Sequence, residues 1–251
     1  MYLKEKVAIV TGGAMGIGRA MAEGLASEGA NIVIADVAGA EEAAEEMSQK
    51  GSKTIGVKVD VSSEQDTQRM VEETIKAFKA VDILVNNAGI YSSLIPGPFE
   101  KITADEWRKV MDVNVLGMFL CCRAVVGEMR KKKGGRIINL ASGTPFKGIP
   151  YLLHYTVSKG AVVALTRALA KELGADSILV NAIAPGFTLS DGVMANEVQL
   201  KHFREVSAKA RTLVRDQYPA DLVGAAKFFA GPESSFITGQ TLVVDGGAYF
   251  H

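Results

Sequence analysis

The stretch Lys6-Val7-Ala8-Ile9-Val10-Thr11-Gly12-Gly13-Ala14-Met15-Gly16-Ile17-Gly18-Arg19-Ala20-Met21-Ala22 decides the fold. Val7 to Val10 are apolar on successive residues, as expected of a strand covered on both faces. A glycine-rich turn follows at once, and the segment from Ile17 to Glu28 has helical character. Glycines let a backbone turn sharply and approach a phosphate group, which then lies at the positive end of the helix. The spacing G-x-x-x-G-x-G of Gly12, Gly16 and Gly18 differs from the dinucleotide fingerprint G-x-G-x-x-G, but it meets the same physical demand.

Working outward, the same alternation continues almost to the C-terminus. Further strands are read at Asn31–Ala35, Ile55–Val59, Ile83–Val85, Arg136–Leu140, Ile178–Ala182 and Leu242–Val244. Segments rich in Ala, Glu, Met and Lys, such as Glu41 to Lys50 and Ser63 to Lys79, lie between them. Alternating strands and helices specify an α/β architecture, either an eightfold barrel or an open doubly wound sheet. Seven strand candidates, and glycines in the first turn, favour the open sheet. The expected fold is a single-domain, Rossmann-type, doubly wound parallel sheet of about seven strands with helices on both faces. No internal repeat or linker-like tract divides residues 1–251.

Composition narrows the function. The 251 residues carry 28 Lys+Arg against 28 Asp+Glu. That balance argues against a nucleic-acid partner, since neutralising phosphates needs a basic excess. The longest apolar run, Val115 to Cys122, falls short of the roughly 20 residues a spanning helix needs, so no membrane partner is expected. The N-terminus lacks an apolar signal core, so the expected location is cytoplasmic. Two adjacent cysteines, Cys121 and Cys122, supply neither a disulfide framework nor a metal site.

Asp36 closes the second strand, 18 residues beyond Gly18, where an acid can accept hydrogen bonds from an adenosine ribose. A carboxylate there repels a 2′-phosphate, and neither Met15 nor Val37 is basic, so NAD is the expected cofactor. Tyr155 and Lys159 are four residues apart, which puts phenol and ammonium on one helix face. A nearby ammonium stabilises a phenolate, and it could bring the phenol from about 10 toward about 7, into the range of acid/base catalysis. Ser142 follows the fifth strand, Asn86-Asn87-Ala88-Gly89 follows the fourth, and Pro185-Gly186 lies after the sixth. Strand exits are where open α/β sheets bind ligands.

Taken together, Thr11-Gly12-x-x-x-Gly16-Ile17-Gly18, Asp60-Val61, Asn86-Asn87-Ala88-Gly89, Asn114, Ser142, Tyr155-x-x-x-Lys159 and Pro185-Gly186 resemble the short-chain dehydrogenase/reductase family. The likeness runs from about Lys6 to Gly247. It implies that Tyr155 exchanges a proton with the substrate oxygen, which Ser142 also hydrogen-bonds. It implies that Lys159 lowers the Tyr155 pKa and holds the nicotinamide ribose, while Asn114 fixes a proton-relaying water. It further places Met15, Ile17, Asp60, Val61, Asn87, Ala88, Gly89, Thr188 and Ser190 against the cofactor. Ser190 stands where the family often has Thr. The family usually forms tetramers through helices such as the one continuing past Lys159, so a homotetramer is expected.

The connection from about 187 to 218 is long enough to form a substrate lid, with Met194, Phe203 and Leu213 in it. With Tyr91, Leu94, Ile95, Gly143, Thr144, Phe146 and Leu152 it suggests a pocket for a hydrophobic secondary alcohol or its ketone. Asn87–Tyr91 and Ser235–Thr241 look similar to 1-phenylethanol dehydrogenases, whereas Ser190–Val193 looks similar to pyridoxal 4-dehydrogenase, so the likenesses point to different substrates. The leading expectation is an NAD-dependent alcohol dehydrogenase or carbonyl reductase. The alternatives are a 3-oxoacyl-thioester reductase and a catalytically silent NAD sensor. A halohydrin dehalogenase-like lyase on this fold would lack the glycines and Lys159. His154 and Asn86 are read as structural residues, the former surface-exposed or hydrogen-bonded.

Overall fold

A computed structural model describes residues 1–250. Seven strands, β1 (Val7–Thr11), β2 (Asn31–Asp36), β3 (Thr54–Lys58), β4 (Ile83–Asn86), β5 (Gly135–Leu140), β6 (Ile178–Pro185) and β7 (Thr241–Val244), form one sheet in the order β3-β2-β1-β4-β5-β6-β7. Every pairing is parallel. The order reverses between β1 and β4, which opens a crevice at the carboxyl ends of those strands.

The helices are α1 (Gly16–Ser27), α2 (Ala40–Gln49), α3 (Glu64–Phe78), α4 (Ala104–Met111), α5 (Gly117–Lys131), α6 (Thr144–Lys147), α7 (Leu153–Leu173), α8 (Asp191–Met194), α9 (Glu197–Lys209) and α10 (Ala220–Ala230). On one face of the sheet, Met21 and Leu25 of α1, Met47 of α2, and Leu222 and Phe229 of α10 pack with Val10, Ile32, Ile34 and Val85. On the other, Met70 of α3, Cys121, Val125 and Met129 of α5, and Leu173 of α7 pack with Ile9, Val33, Leu84 and Ile137. Because successive strand residues point to opposite faces, both faces are covered only if the strands are continuously apolar, and β1 is buried at all five positions.

α4 and α5 are joined by a π-helical turn at Asp112–Leu116, giving one continuous helix from Ala104 to Lys131. This corrects the expectation of no membrane-length segment. By length and composition the helix could cross a bilayer, with a window of mean hydropathy 1.6. An unbroken apolar run missed it because the window admits isolated charges. Half of that window is buried, and Cys121, Val125 and Met129 pack on the sheet, so a core helix accounts for its apolarity. The basic run Arg130–Lys133 ends α5, beside the carbonyls at the negative end of its dipole.

Candidate active site

The glycine turn is cinched against the exit of β4. Asn87 Nδ2 donates to the carbonyls of Thr11 (3.0 Å) and Gly12 (2.9 Å), while Asn87 N and Ala88 N both donate to Thr11 Oγ1 at 3.1 Å. The close approach explains the glycines. A Cβ on Gly12 would lie 2.9 Å from Ala88 Cα, and one on Gly18 would lie 2.1 Å from the Gly12 carbonyl oxygen. Gly12 and Gly16 have φ of +61° and +59°, in the left-handed region that favours glycine. Asp36, ending β2, accepts from Ala14 N–H at 3.1 Å, so the acid is held across the mouth of the turn.

A cleft of about 560 Å³ runs from this turn to the exits of β5 and β6. Gly12, Met15, Gly16, Ile17, Asp36, Asp60, Val61, Asn87, Ala88, Gly89, Ser142, Tyr155, Lys159, Pro185, Gly186, Thr188 and Ser190 all line it, with Gly16 close to Ser190 and Gly89 close to Lys159. Of the residues singled out in the sequence, Gly18 and Asn114 do not line it. Gly18 lies against the Gly12 carbonyl and the Asn87 side chain, and Asn114 bonds to Ile90 and Ser158. The expected pocket residues Leu94, Ile95 and Phe146 are also absent from its wall, as are Met194 and Leu213 of the 187–218 segment, whereas Phe203 is present. Ser92, Lys109, Lys147 and Ser207 line it without any motif to announce them.

Tyr155 and Lys159 project from the first turns of α7 and are buried. Lys159 Nζ lies 5.8 Å from the Tyr155 ring centroid and donates to Leu140 O at 2.6 Å, which fixes the ammonium at the end of β5. The Tyr155 hydroxyl shares a hydrogen bond with Ser142, whose Oγ also accepts from Thr144 N–H at 3.2 Å. Tyr91 stacks obliquely on Tyr155, with ring centroids 4.7 Å apart.

The electrostatics correct the expectation of an acidified phenol. Burial pushes Tyr155 up to about 12, with the Ser142 hydrogen bond pulling the other way. Burial lowers Lys159 to about 8. Taking both groups out of water favours their neutral forms. At neutral pH the pair is therefore phenol and ammonium, and the phenol has a proton to give.

Asn114 sits in the π-helical turn, a feature that often marks functional sites. Its Oδ1 accepts from Ile90 N–H at 2.7 Å, and its Nδ2 donates to Ile90 O and Ser158 Oγ, both at 3.1 Å. The side chain is thus engaged in tying the loop after β4 to α7. A Cβ on Gly89 would be 3.2 Å from Asn114 Oδ1 and 3.6 Å from Lys159 Nζ, so this glycine admits the two to one spot.

His154 departs from its expected reading. It is buried, its ring nitrogens have no hydrogen-bond partner, and Glu106 lies 3.4 Å from Nε2. Asn86 is structural, donating to Cys122 Sγ and to Asn139 Oδ1 in the core. Among the described residues, no group of three or more His, Cys, Asp or Glu could hold a metal.

The protein-family model described as Enoyl-(Acyl carrier protein) reductase matches residues 12–249. The 3-oxoacyl-[acyl-carrier-protein] reductase of Staphylococcus epidermidis is 36% identical over 248 residues, covering 97% of this chain and 99% of that protein. That of Aquifex aeolicus is 35% identical over 252 residues, covering 98% of each. Among solved structures, the 3-ketoacyl-(acyl-carrier-protein) reductase of Brucella melitensis complexed with NADH superposes with a TM-score of 0.90 at 35% identity, over 99% of this chain and 100% of that one. A putative NAD(P)-dependent gluconate 5-dehydrogenase of Beutenbergia cavernae, with bound NADP, gives 0.89 at 36% identity over 98% and 97%. With this sheet order and glycine turn, these likenesses place the chain in the short-chain dehydrogenase/reductase family, as an NAD(P)-dependent oxidoreductase.

Proposed function

We propose that the chain reduces a carbonyl group, with 3-oxoacyl thioesters as the substrate class and NADH as the preferred reductant. One observation supports the reading: the buried Tyr155 phenol stands at the wall of the cleft with Ser142, and Lys159 Nζ lies 5.8 Å from its ring. The names of the relatives favour the thioester over the hydrophobic secondary alcohol that led the sequence reading.

The residues fit a dinucleotide. Gly12 and Gly18 leave no room for side chains where the turn meets β4, Gly16 opens α1 with a positive φ, and Asp36 stands at the mouth of the turn. Gly12, Met15, Gly16 and Ile17 would hold the pyrophosphate end, Asp36 the ribose, and Asp60, Val61 and Asn87–Gly89 the adenosine. Thr188 would hold the nicotinamide end, and Ser190, beside Gly16, the nicotinamide carboxamide or a phosphate. When bound, nicotinamide supplies the hydride. Tyr155 gives its proton to the substrate oxygen, and Ser142 donates a hydrogen bond to the same atom as charge develops there. Lys159, held by Leu140 O, keeps a positive charge beside the phenolate left behind. Residues 187–218, which include α8 and α9, act as a lid.

A second reading keeps the aryl or alicyclic ketone, because Tyr91, Ile149, Leu152, Phe187 and Phe203 give the cleft an apolar wall. Assaying NADH and NADPH oxidation with acetoacetyl thioesters and with aryl ketones decides between them. Turnover of the ketones alone would overturn the thioester assignment, and binding without turnover on either panel would leave a nucleotide sensor.

We also propose a homotetramer. The apolar segment Gly160–Leu165 is partly used inside the subunit, since Val162 and Val163 are buried, but Leu116 at the end of the π-helical turn, Phe119 of α5, and Leu153 and Val157 of α7 are exposed. β7 is a sheet edge with Leu242 exposed, a second surface that wants a cover.

A further inference from the structure

The segment after β6 returns directly onto the glycine turn. Ser190 precedes α8, and a methyl group on Gly16 would lie 3.3 Å from its Cβ. The next residue, Asp191, accepts a hydrogen bond from the Gly16 backbone N–H at 2.9 Å. Gly16 opens α1, and Arg19 N–H already bonds to the carbonyl of Met15, ahead of the helix. The Gly16 N–H therefore has no acceptor within its own helix, and it belongs to the positive end of the α1 dipole. A carboxylate 175 positions away satisfies it.

We propose that Asp191 is an internal anion that occupies the phosphate cradle of the glycine turn and latches α8 over it, so that cofactor binding requires the latch to release. This rests on the dinucleotide reading above. A pyrophosphate and a carboxylate compete for the same N–H group, and their charges repel. The lid has separate anchors on its far side. Asn196 Nδ2 donates to Ser92 O at 2.7 Å, and Gln199 Nε2 donates to Tyr91 O at 2.7 Å and to Leu94 O at 3.0 Å. These bonds involve no part of α1, so release at Asp191 leaves α9 in place. The latch weakens cofactor binding and hastens cofactor departure, the step that often limits turnover in enzymes with lids.

The test titrates the full chain, Asp191→Asn and Asp191→Ala with NADH by fluorescence, and follows NADH dissociation by stopped flow. Amide exchange at Gly16 is measured by NMR without nucleotide. Both variants should bind NADH about two- to fivefold more tightly, the range for an exposed charge at a helix N-terminus. Dissociation should slow in step, the gain should shrink in 1 M salt, and the Gly16 amide should exchange faster in Asp191→Ala than in the wild type. Unchanged or weaker NADH binding in both variants, or equal Gly16 exchange in all three proteins, would overturn the latch. NADH binding to none of the three would refute the dinucleotide reading itself, whereas the exchange comparison needs no cofactor and judges the latch separately.

Discussion

Replacing Asp36 with Asn changes one charge and little else. The amide oxygen still accepts from Ala14 N–H, now held at 3.1 Å by the carboxylate, so the turn keeps its anchor. What the variant loses is the charge facing the ribose. Hydrogen bonds to charged groups contribute about 1.5–3 kcal/mol, so NADH should bind roughly 10- to 150-fold more weakly. NADPH gains instead. A carboxylate and a phosphate charge about 4 Å apart repel by about 1 kcal/mol in a fully aqueous setting and about 4 kcal/mol near a protein surface, and the variant removes that term. The lower ends of both ranges together give about 2.5 kcal/mol, so the preference should swing toward NADPH by at least roughly 70-fold. The assay is kcat/KM for each cofactor at one carbonyl substrate, with dissociation constants of both binary complexes. A wild type that uses both cofactors equally, or a variant with an unmoved ratio and an unchanged melting temperature, would refute the reasoning.

Gly18→Ala forces a Cβ to within 2.1 Å of the Gly12 carbonyl oxygen, against backbone that cannot yield. It should cost about 1–3 kcal/mol in urea unfolding and abolish NADH binding. Lys159 sheds its proton at about 8 in the folded protein, against 10.5 for a free side chain, so the unfolded chain binds more protons between those values and stability rises with pH there. Relative to Lys159→Met, the wild type should gain about 2 kcal/mol between pH 8 and 10, and a constant difference across that window would contradict the burial argument. Alcohol oxidation, which needs the phenolate, should keep accelerating with pH beyond 9, whereas carbonyl reduction should not; both are read from initial rates. Sedimentation at micromolar concentration should give four subunits, and a monomer would rule the assembly out.

The seven strands were legible because most are apolar on successive residues, as a sheet covered on both faces favours. The helix boundaries of α1, α2 and α3 were legible to within a residue or two from their content of strong helix formers, with Ser63 accepting from Asp66 N–H as a cap. The residues of the cleft were legible wherever a strand exit coincided with glycine or with Tyr155 and Lys159. The hydrogen-bond partners of Asn114 were not, because Ile90 and Ser158 are 24 and 44 positions away and carry no spacing signal. The raised Tyr155 pKa was missed because spacing reports which groups share a helix face, and burial, which wins here, depends on what the rest of the chain packs over them. Lys147 entered the cleft wall unnoticed for a similar reason. Its ammonium pairs with buried Asp245 at 2.8 Å, a contact between α6 and the end of β7 that no local pattern encodes.

The central claim is that the Tyr155 phenol delivers the proton. The direct measurement is the NADH-driven reduction rate of Tyr155→Phe beside its NADH dissociation constant. The account predicts a fall of about 10²- to 10⁴-fold in kcat, the usual loss when a positioned proton donor is removed, with NADH affinity unchanged. A phenylalanine variant that turns over within tenfold of the wild type, with cofactor binding intact, would contradict it.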